Sequence, residues 1–272
     1  MGVYTRSRRP DTSLFVEVVG VGPEPMVLLP GLGGTTRYWL DRTRALESCF
    51  RLVRVDLLGF GRSPKPNLRY DLNTHLNAIT QALAPFPSMW MVGHSLGALL
   101  AAAFAERHPE RVRGLVLIGT PVFRSREQAF AHLRSGPVRG GWLMTHWLMT
   151  VMTCVLTRRV LGPILPYLRR DMPIEVVEDL LLHTWRSSTS SLYEVVYGVD
   201  LPALMSRLPA ALPVLFVHGE DDPVAPIAPV IDLVAMQPHW TLQRLHGIDH
   251  HPVIRAPDRV QQHIMRFVHQ NP

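Results

Sequence analysis

Residues 89–107, MWMVGHSLGALLAAAFAER, join an apolar run to an alanine-rich one through five residues, Gly93, His94, Ser95, Leu96 and Gly97. MWMV has the length and composition of a buried strand, and the residues from Leu96 onward are helix formers. A strand that turns so abruptly into a helix forces its central residue into a strained conformation. Glycines are needed on both sides, because a Cβ there would collide with neighbouring backbone. The bend projects the Ser95 hydroxyl above the sheet, at the positive end of the following helix. The GxSxG pentapeptide is weak evidence by itself, since Gly and Ser are common. The strand before it and the helix after it give it weight.

Outward from this segment the chain keeps the same rhythm. Short β-rich runs recur at residues 14–19 (LFVEVV), 26–29 (MVLL), 52–56 (LVRVD), 115–118 (LVLI) and 214–217 (VLFV). Continuous apolar runs of this kind suit strands covered on both faces. Between them lie helical patterns, Leu72, Leu76, Ile79 and Leu83 in one and Val260, Ile264 and Phe267 in another. Alternation of this sort predicts an α/β fold, a mostly parallel central sheet flanked by helices. It lapses after Ile118: residues 123–200 read as short helices broken by Gly and Pro. The predicted organisation is a core from 1–122 and 201–272 with a helical insertion at 123–200.

Composition closes off other classes. With 272 residues, 47% hydrophobic and a net charge of +6, the chain can bury a large core and is not disordered. Cys49 and Cys154 lack disulfide or metal-ligand spacing, so no metal and no cofactor is expected. The basic residues are scattered arginines without interleaved aromatics, apart from Arg6, Arg8 and Arg9, which argues against a nucleic-acid partner. The opening residues lack the apolar stretch of a secretory signal. The window at 141–156 is too short to span a bilayer and includes three Thr and a His. Together these features read as a soluble, cytoplasmic protein.

A serine hydroxyl is a poor nucleophile until a base takes its proton and a third group orients that base. The chain resembles the α/β-hydrolase family, serine esterases and lipases with a helical cap, over nearly its whole length. That family orders its residues as nucleophile, acid, histidine. The run 245–257, LHGIDHHPVIRAP, is similar to the family's histidine segment. The resemblance places the base at His250, with His251 and then His246 as alternatives. Two residues depart from the pattern, Asp249 where Gly is usual and Arg255 where Glu is usual. VLFVHGEDDPVAP (214–226) resembles the acid segment and implies Asp222 as the orienting carboxylate, with Asp221 as the alternative or as a helix cap. The alternative acid position, after the family's sixth strand, is occupied here by Gly119-Thr120-Pro121 and has no carboxylate.

The resemblance also implies an oxyanion hole from the backbone N–H groups of Leu96 and Leu32. Leu32 lies in Leu29-Pro30-Gly31-Leu32-Gly33-Gly34, where Pro30 stands in place of the usual His. The run 56–63, DLLGFGRS, resembles a family stretch whose role is structural. The insertion, which would follow the family's sixth strand, matches its cap. Trp142, Met144, Trp147 and Leu148 are therefore expected to line a pocket for a hydrophobic ester. Arg158-Arg159 and Arg169-Arg170 border that stretch and read as a solvated helix face more readily than as a membrane contact. Hydrolysis of a C–C bond, thioester or lactone, or acyl transfer, uses the same residues, and a non-catalytic binding relative is the remaining alternative. Oligomeric state is not legible.

Overall fold

The computed structural model describes residues 10–136, 138 and 140–272. The cluster Arg6, Arg8, Arg9 and the opening segment lie outside the described residues. Among the described residues seven strands form one sheet: β1 (Val16–Val19), β2 (Glu24–Leu29), β3 (Phe50–Val55), β4 (Met89–His94), β5 (Val112–Ile118), β6 (Val214–Gly219) and β7 (Trp240–Leu245). Their spatial order is β1-β3-β2-β4-β5-β6-β7. Among the described residues only β1 runs antiparallel to its neighbour; every other described pair is parallel. Six strands coincide with the apolar runs of the sequence. The seventh does not, because β7 is an edge strand with only its end residues Trp240 and Leu245 buried, so its sequence WTLQRL lacks a continuous apolar run.

The helices are α1 (Leu72–Ala82), α2 (Leu96–Arg107), α3 (Arg126–Ser135), α4 (Trp147–Leu156), α5 (Leu165–Leu168), α6 (Ile174–Asp179), α7 (Trp185–Ser191), α8 (Leu201–Met205), α9 (Ala228–Val234), α10 (Pro252–Arg255) and α11 (Pro257–Gln270). Helix α2 is buried from Leu96 to Ala105, and its alanines let it lie close on the sheet. A Cβ on its Gly97 would collide with the Leu29 carbonyl of β2. On the opposite face, α11 turns Val260, Ile264 and Phe267 into a second core with Met26, Leu28, Trp90 and Val92.

Helices α3 to α8 all lie between β5 and β6. The sequence places its insertion after the family's sixth strand, which is the fifth in this chain. This helical segment touches the strand-bearing part through the bridge between Phe60 and His183 and through Thr35 and Arg37, which bind Asp179 of α6. The sheet order also fixes where chemistry can gather. The C-terminal ends of β2, β4, β6 and β7 open on the same edge, as in other open parallel sheets, where ligands bind beyond the carboxyl ends of the strands.

Candidate active site

Ser95 has φ 52° and ψ −114°, and among the described residues it is the only non-glycine with positive φ. The bend is imposed by its neighbours. A Cβ on Gly93 would strike the backbone of Gly97 and Ala98, and the Ser95 N–H donates to the Ile118 carbonyl at 2.9 Å. Strain of this kind costs about 1–3 kcal/mol and persists only where the surroundings over-determine it.

Three side chains from three loops meet there. Asp222, three residues beyond β6, accepts from the Nδ1–H of His250 at 2.7 Å through Oδ2. That bond leaves His250 Nε2 bare, 3.0 Å from Ser95 Oγ, and the serine O–H donates to it. The other oxygen of Asp222 accepts from the N–H groups of Val224 (2.8 Å) and Ala225 (2.9 Å). One carboxylate therefore both orients the imidazole and caps the turn before α9. Asp221, the alternative for either job, is exposed, with its own N–H donating to the Ile248 carbonyl. Burial works to raise the Asp222 carboxyl, but the His250 hydrogen bond, the imidazole charge and the Ala225 amide outweigh it and hold the group below its ordinary value.

His94 is a member of the site that the GxSxG reading passed over. Its Nε2–H donates to the His250 carbonyl at 2.7 Å, and its ring stacks on Tyr38 with centroids 4.9 Å apart. Burial, followed by the nearby histidines, pushes it well below the usual imidazole range, so it stays neutral and serves as a donor. Nothing in the local pattern marks this role, because it depends on a loop 156 residues away. His251 lines the same cavity without bonding Ser95, and burial above all pushes its imidazole down to about 4. His246 is exposed and pairs with Glu220 at 3.0 Å.

The two departures in the histidine loop prove to be partners. Arg255 grips Asp249 through Nε (3.0 Å) and Nη2 (2.8 Å), while Asp249 accepts from the His251 N–H at 2.9 Å. Arg255 also reaches Asp171, just before α6, and so ties the histidine loop to the helical segment.

Loop 30–36 holds its shape without the usual histidine. Gly34 N–H donates to the Gly31 carbonyl at 3.0 Å, and Gly33 sits at φ 78° in the third position of the turn, a geometry glycine adopts freely. Asp56 braces it: fully buried, it accepts from the Thr36 N–H at 2.6 Å and the Arg62 N–H at 2.8 Å. The structural role read for 56–63 thus extends to anchoring, at Thr36, the loop that carries Leu32. Among the described residues, neither the Leu32 nor the Leu96 N–H has a protein acceptor, as a pair of donors kept for a ligand oxygen requires.

Ser95, His250, Gly31 and Leu32 open into a cavity of about 410 Å³. Leu133, Met172, Val176, Leu180 and Val196 give it apolar walls, and Thr153, Cys154 and Thr157 face it from α4 and the turn after it. Here the expectation for the insertion needs correcting. Met144 lines the cavity, but Trp142, Trp147 and Leu148 do not; they are 56%, 52% and 57% exposed on the outside of the helical segment. Apolar residues of a helix look alike in sequence whichever way they face, and the Thr-rich face of α4 is the one turned inward. Among the described residues no group of His, Cys, Asp or Glu could hold a metal ion.

Residues 24–256 match the family model described as the alpha/beta hydrolase fold. The chain is 29% identical over 263 residues to a pimeloyl-[acyl-carrier protein] methyl ester esterase from Serratia marcescens, covering 94% of this chain and 98% of that protein. It is 24% identical over 269 residues to the probable lysophospholipase BODYGUARD 2 of Arabidopsis thaliana, covering 84% of this chain but only 55% of that protein. The chain thus spans about half the length of that plant relative. Among solved structures, a hydrolase from Pseudomonas aeruginosa superposes with a TM-score of 0.72 at 22% identity, covering 94% of each chain. An enol-lactonase from Burkholderia xenovorans does so with a TM-score of 0.70 at 21% identity, covering 94% of this chain and 96% of that one. At these identities the two structures bear on the fold alone.

Proposed function

The chain belongs to the alpha/beta hydrolase fold family, and from that premise we propose that it is a serine hydrolase of hydrophobic carboxylic esters. The observation that carries the reading is the unbroken relay from Asp222 through His250 to a strained Ser95 at the wall of an apolar cavity. In this reading Ser95 Oγ attacks the ester carbonyl as His250 Nε2 takes its proton. Asp222 holds the imidazole in the required tautomer and stabilises its positive charge. The Leu32 and Leu96 N–H groups receive the developing oxyanion, each worth about 2.7–4 kcal/mol of barrier in comparable sites. His250 then protonates the leaving alcohol, and afterwards takes a proton from the water that clears the acyl group. Residues 123–200 act as the cap, with Met144, Met172 and Leu180 shaping the space for the apolar part of the substrate. The esterase activity in the name of the Serratia relative supports an ester substrate.

The test is a fluorophosphonate probe together with a chain-length series of nitrophenyl esters. Labelling of the wild type, its loss in Ser95→Ala, and a preference for acyl chains longer than acetate are expected. A folded wild-type protein that is neither labelled nor active on esters, thioesters, lactones or diketones would place the chain among non-catalytic binding proteins.

A further inference from the structure

Helix α4 is inside out. Thr150, Thr153 and Cys154 face the cavity, with Thr157 one turn further on, while Leu148, Met152 and Leu156 face solvent. The exposed residues are four apart, which stacks them along one side of the helix. Val160 extends the row through the π turn (Thr157–Leu161), and all four are more than half exposed. Trp142 and Trp147 flank the row, and Ile164, Tyr167 and Leu168 follow it, Tyr167 at 72% exposure. A helix of a water-facing protein turns its apolar stripe to the core, so this polarity indicates an apolar environment outside.

Charge singles out the same stretch. From Gln128 to Arg170 there is no Asp or Glu, and there are six arginines: Arg134, Arg139, Arg158, Arg159, Arg169 and Arg170. The net charge of the whole chain is +6, so the remainder of the sequence is balanced and the excess lies entirely here. Among the described residues Arg159 and Arg170 are exposed and have no carboxylate partner.

We propose that this outer face of the helical segment seats on the surface of an anionic lipid bilayer. The row of Leu148, Met152, Leu156 and Val160 enters the acyl boundary, Trp142, Trp147 and Tyr167 sit at headgroup level, and Arg159 and Arg170 meet the lipid phosphates. A second copy of the chain is disfavoured, because pairing this face with itself brings the unpaired Arg159 and Arg170 of one copy against those of the other. Spanning is excluded for α4 by its ten residues, about 15 Å of helix, and no described helix is long and apolar enough to cross a membrane. The seating leaves the cavity one helix diameter, about 10–12 Å, from the lipid.

This inference does not depend on the hydrolase reading, and its test can use Ser95→Ala protein so that vesicle lipids stay intact. The full-length chain is sedimented with phosphatidylcholine vesicles, with and without phosphatidylglycerol. Binding is expected to the anionic vesicles and to be at least tenfold weaker to the neutral ones. Met152→Ser/Leu156→Ser/Val160→Ser should lower the partition coefficient at least tenfold, and Arg159→Glu/Arg170→Glu should abolish the anionic preference. In a wild-type Ser95 background, both variants should hydrolyse a soluble short-chain ester at the parental rate, showing that the fold is intact. Absence of binding to either vesicle, or binding that both variants retain, overturns the proposal. So does a dimer in analytical ultracentrifugation that the serine variant dissolves while vesicles remain unbound. Lack of esterase activity alongside normal vesicle binding would refute the proposed function and leave this inference standing.

Discussion

Replacing Asp222 with Asn removes one charge and keeps nearly every atom in place, so its effect reports on orientation. Oδ1 of Asp222 accepts two amide N–H groups and Oδ2 accepts one imidazole N–H. An asparagine has one oxygen for these two tasks. If the oxygen stays with Val224 and Ala225, the NH2 group faces His250 Nδ1 and donates to it. The imidazole must then carry its proton on Nε2, where it repels the Ser95 O–H it should deprotonate. If the amide flips, the tautomer is saved, but NH2 opposes two N–H groups, at about 1–3 kcal/mol for each buried donor left unmet. Two amides outweigh one imidazole, so the first orientation wins. Losing the productive tautomer costs on the order of 10⁴ in turnover, about 5.4 kcal/mol of barrier. Because the first orientation satisfies all three contacts, the melting temperature should move by only a few degrees. The assay is steady-state hydrolysis of a nitrophenyl ester, with a thermal melt on the same sample. A folded Asp222→Asn protein within tenfold of wild-type kcat/KM would refute the assignment of Asp222 as the orienting group.

Three further outcomes are expected. His250→Ala should abolish ester turnover while His251→Ala keeps at least a tenth of it, measured on the same substrate; the reverse result moves the base by one residue. Asp249 and Arg255 should couple in a double-mutant cycle read by urea denaturation. The partly exposed pair limits the coupling to about 1 kcal/mol or less, and zero coupling would mean the bidentate contact contributes nothing. Burial pushes His75, His183 and His251 each down to about 4 in the folded chain, against an ordinary value of 6.5. The unfolded chain therefore binds the extra protons first as pH falls. The stability these neutral rings contribute is intact above pH 6.5 and is lost between 6.5 and 4, at about 1.4 kcal/mol per pH unit for each histidine. Urea midpoints that stay level from pH 7 to pH 5 would contradict this.

Much of the site is legible in one dimension because its constraints are local. Gly93 and Gly97 announce a bend that only a backbone without Cβ tolerates: Gly93 must clear the first turn of the helix that follows, and Gly97 the neighbouring strand β2. The resemblance of 214–226 and 245–257 to the family's acid and histidine segments points to Asp222 and His250, which lie three and five residues past the ends of β6 and β7. The two positions where the histidine loop departs from its relatives, Asp249 and Arg255, look like separate blemishes in sequence and form a single contact in space.

What the amino-acid order determined by itself was the alternation of strand and helix and the GxSxG elbow, since each depends on residues within a few positions of one another; the short choice of partners for Ser95 came from the resemblance of two further segments to a family. Tertiary structure alone decided that His94 holds the His250 carbonyl, that Asp56 steadies the Leu32 loop, and that Trp142, Trp147 and Leu148 face outward. The reason is geometric. A helical repeat of apolar residues specifies that one face differs from the other, but which face meets the cavity depends on the elements packed beside it, and those are distant in the chain.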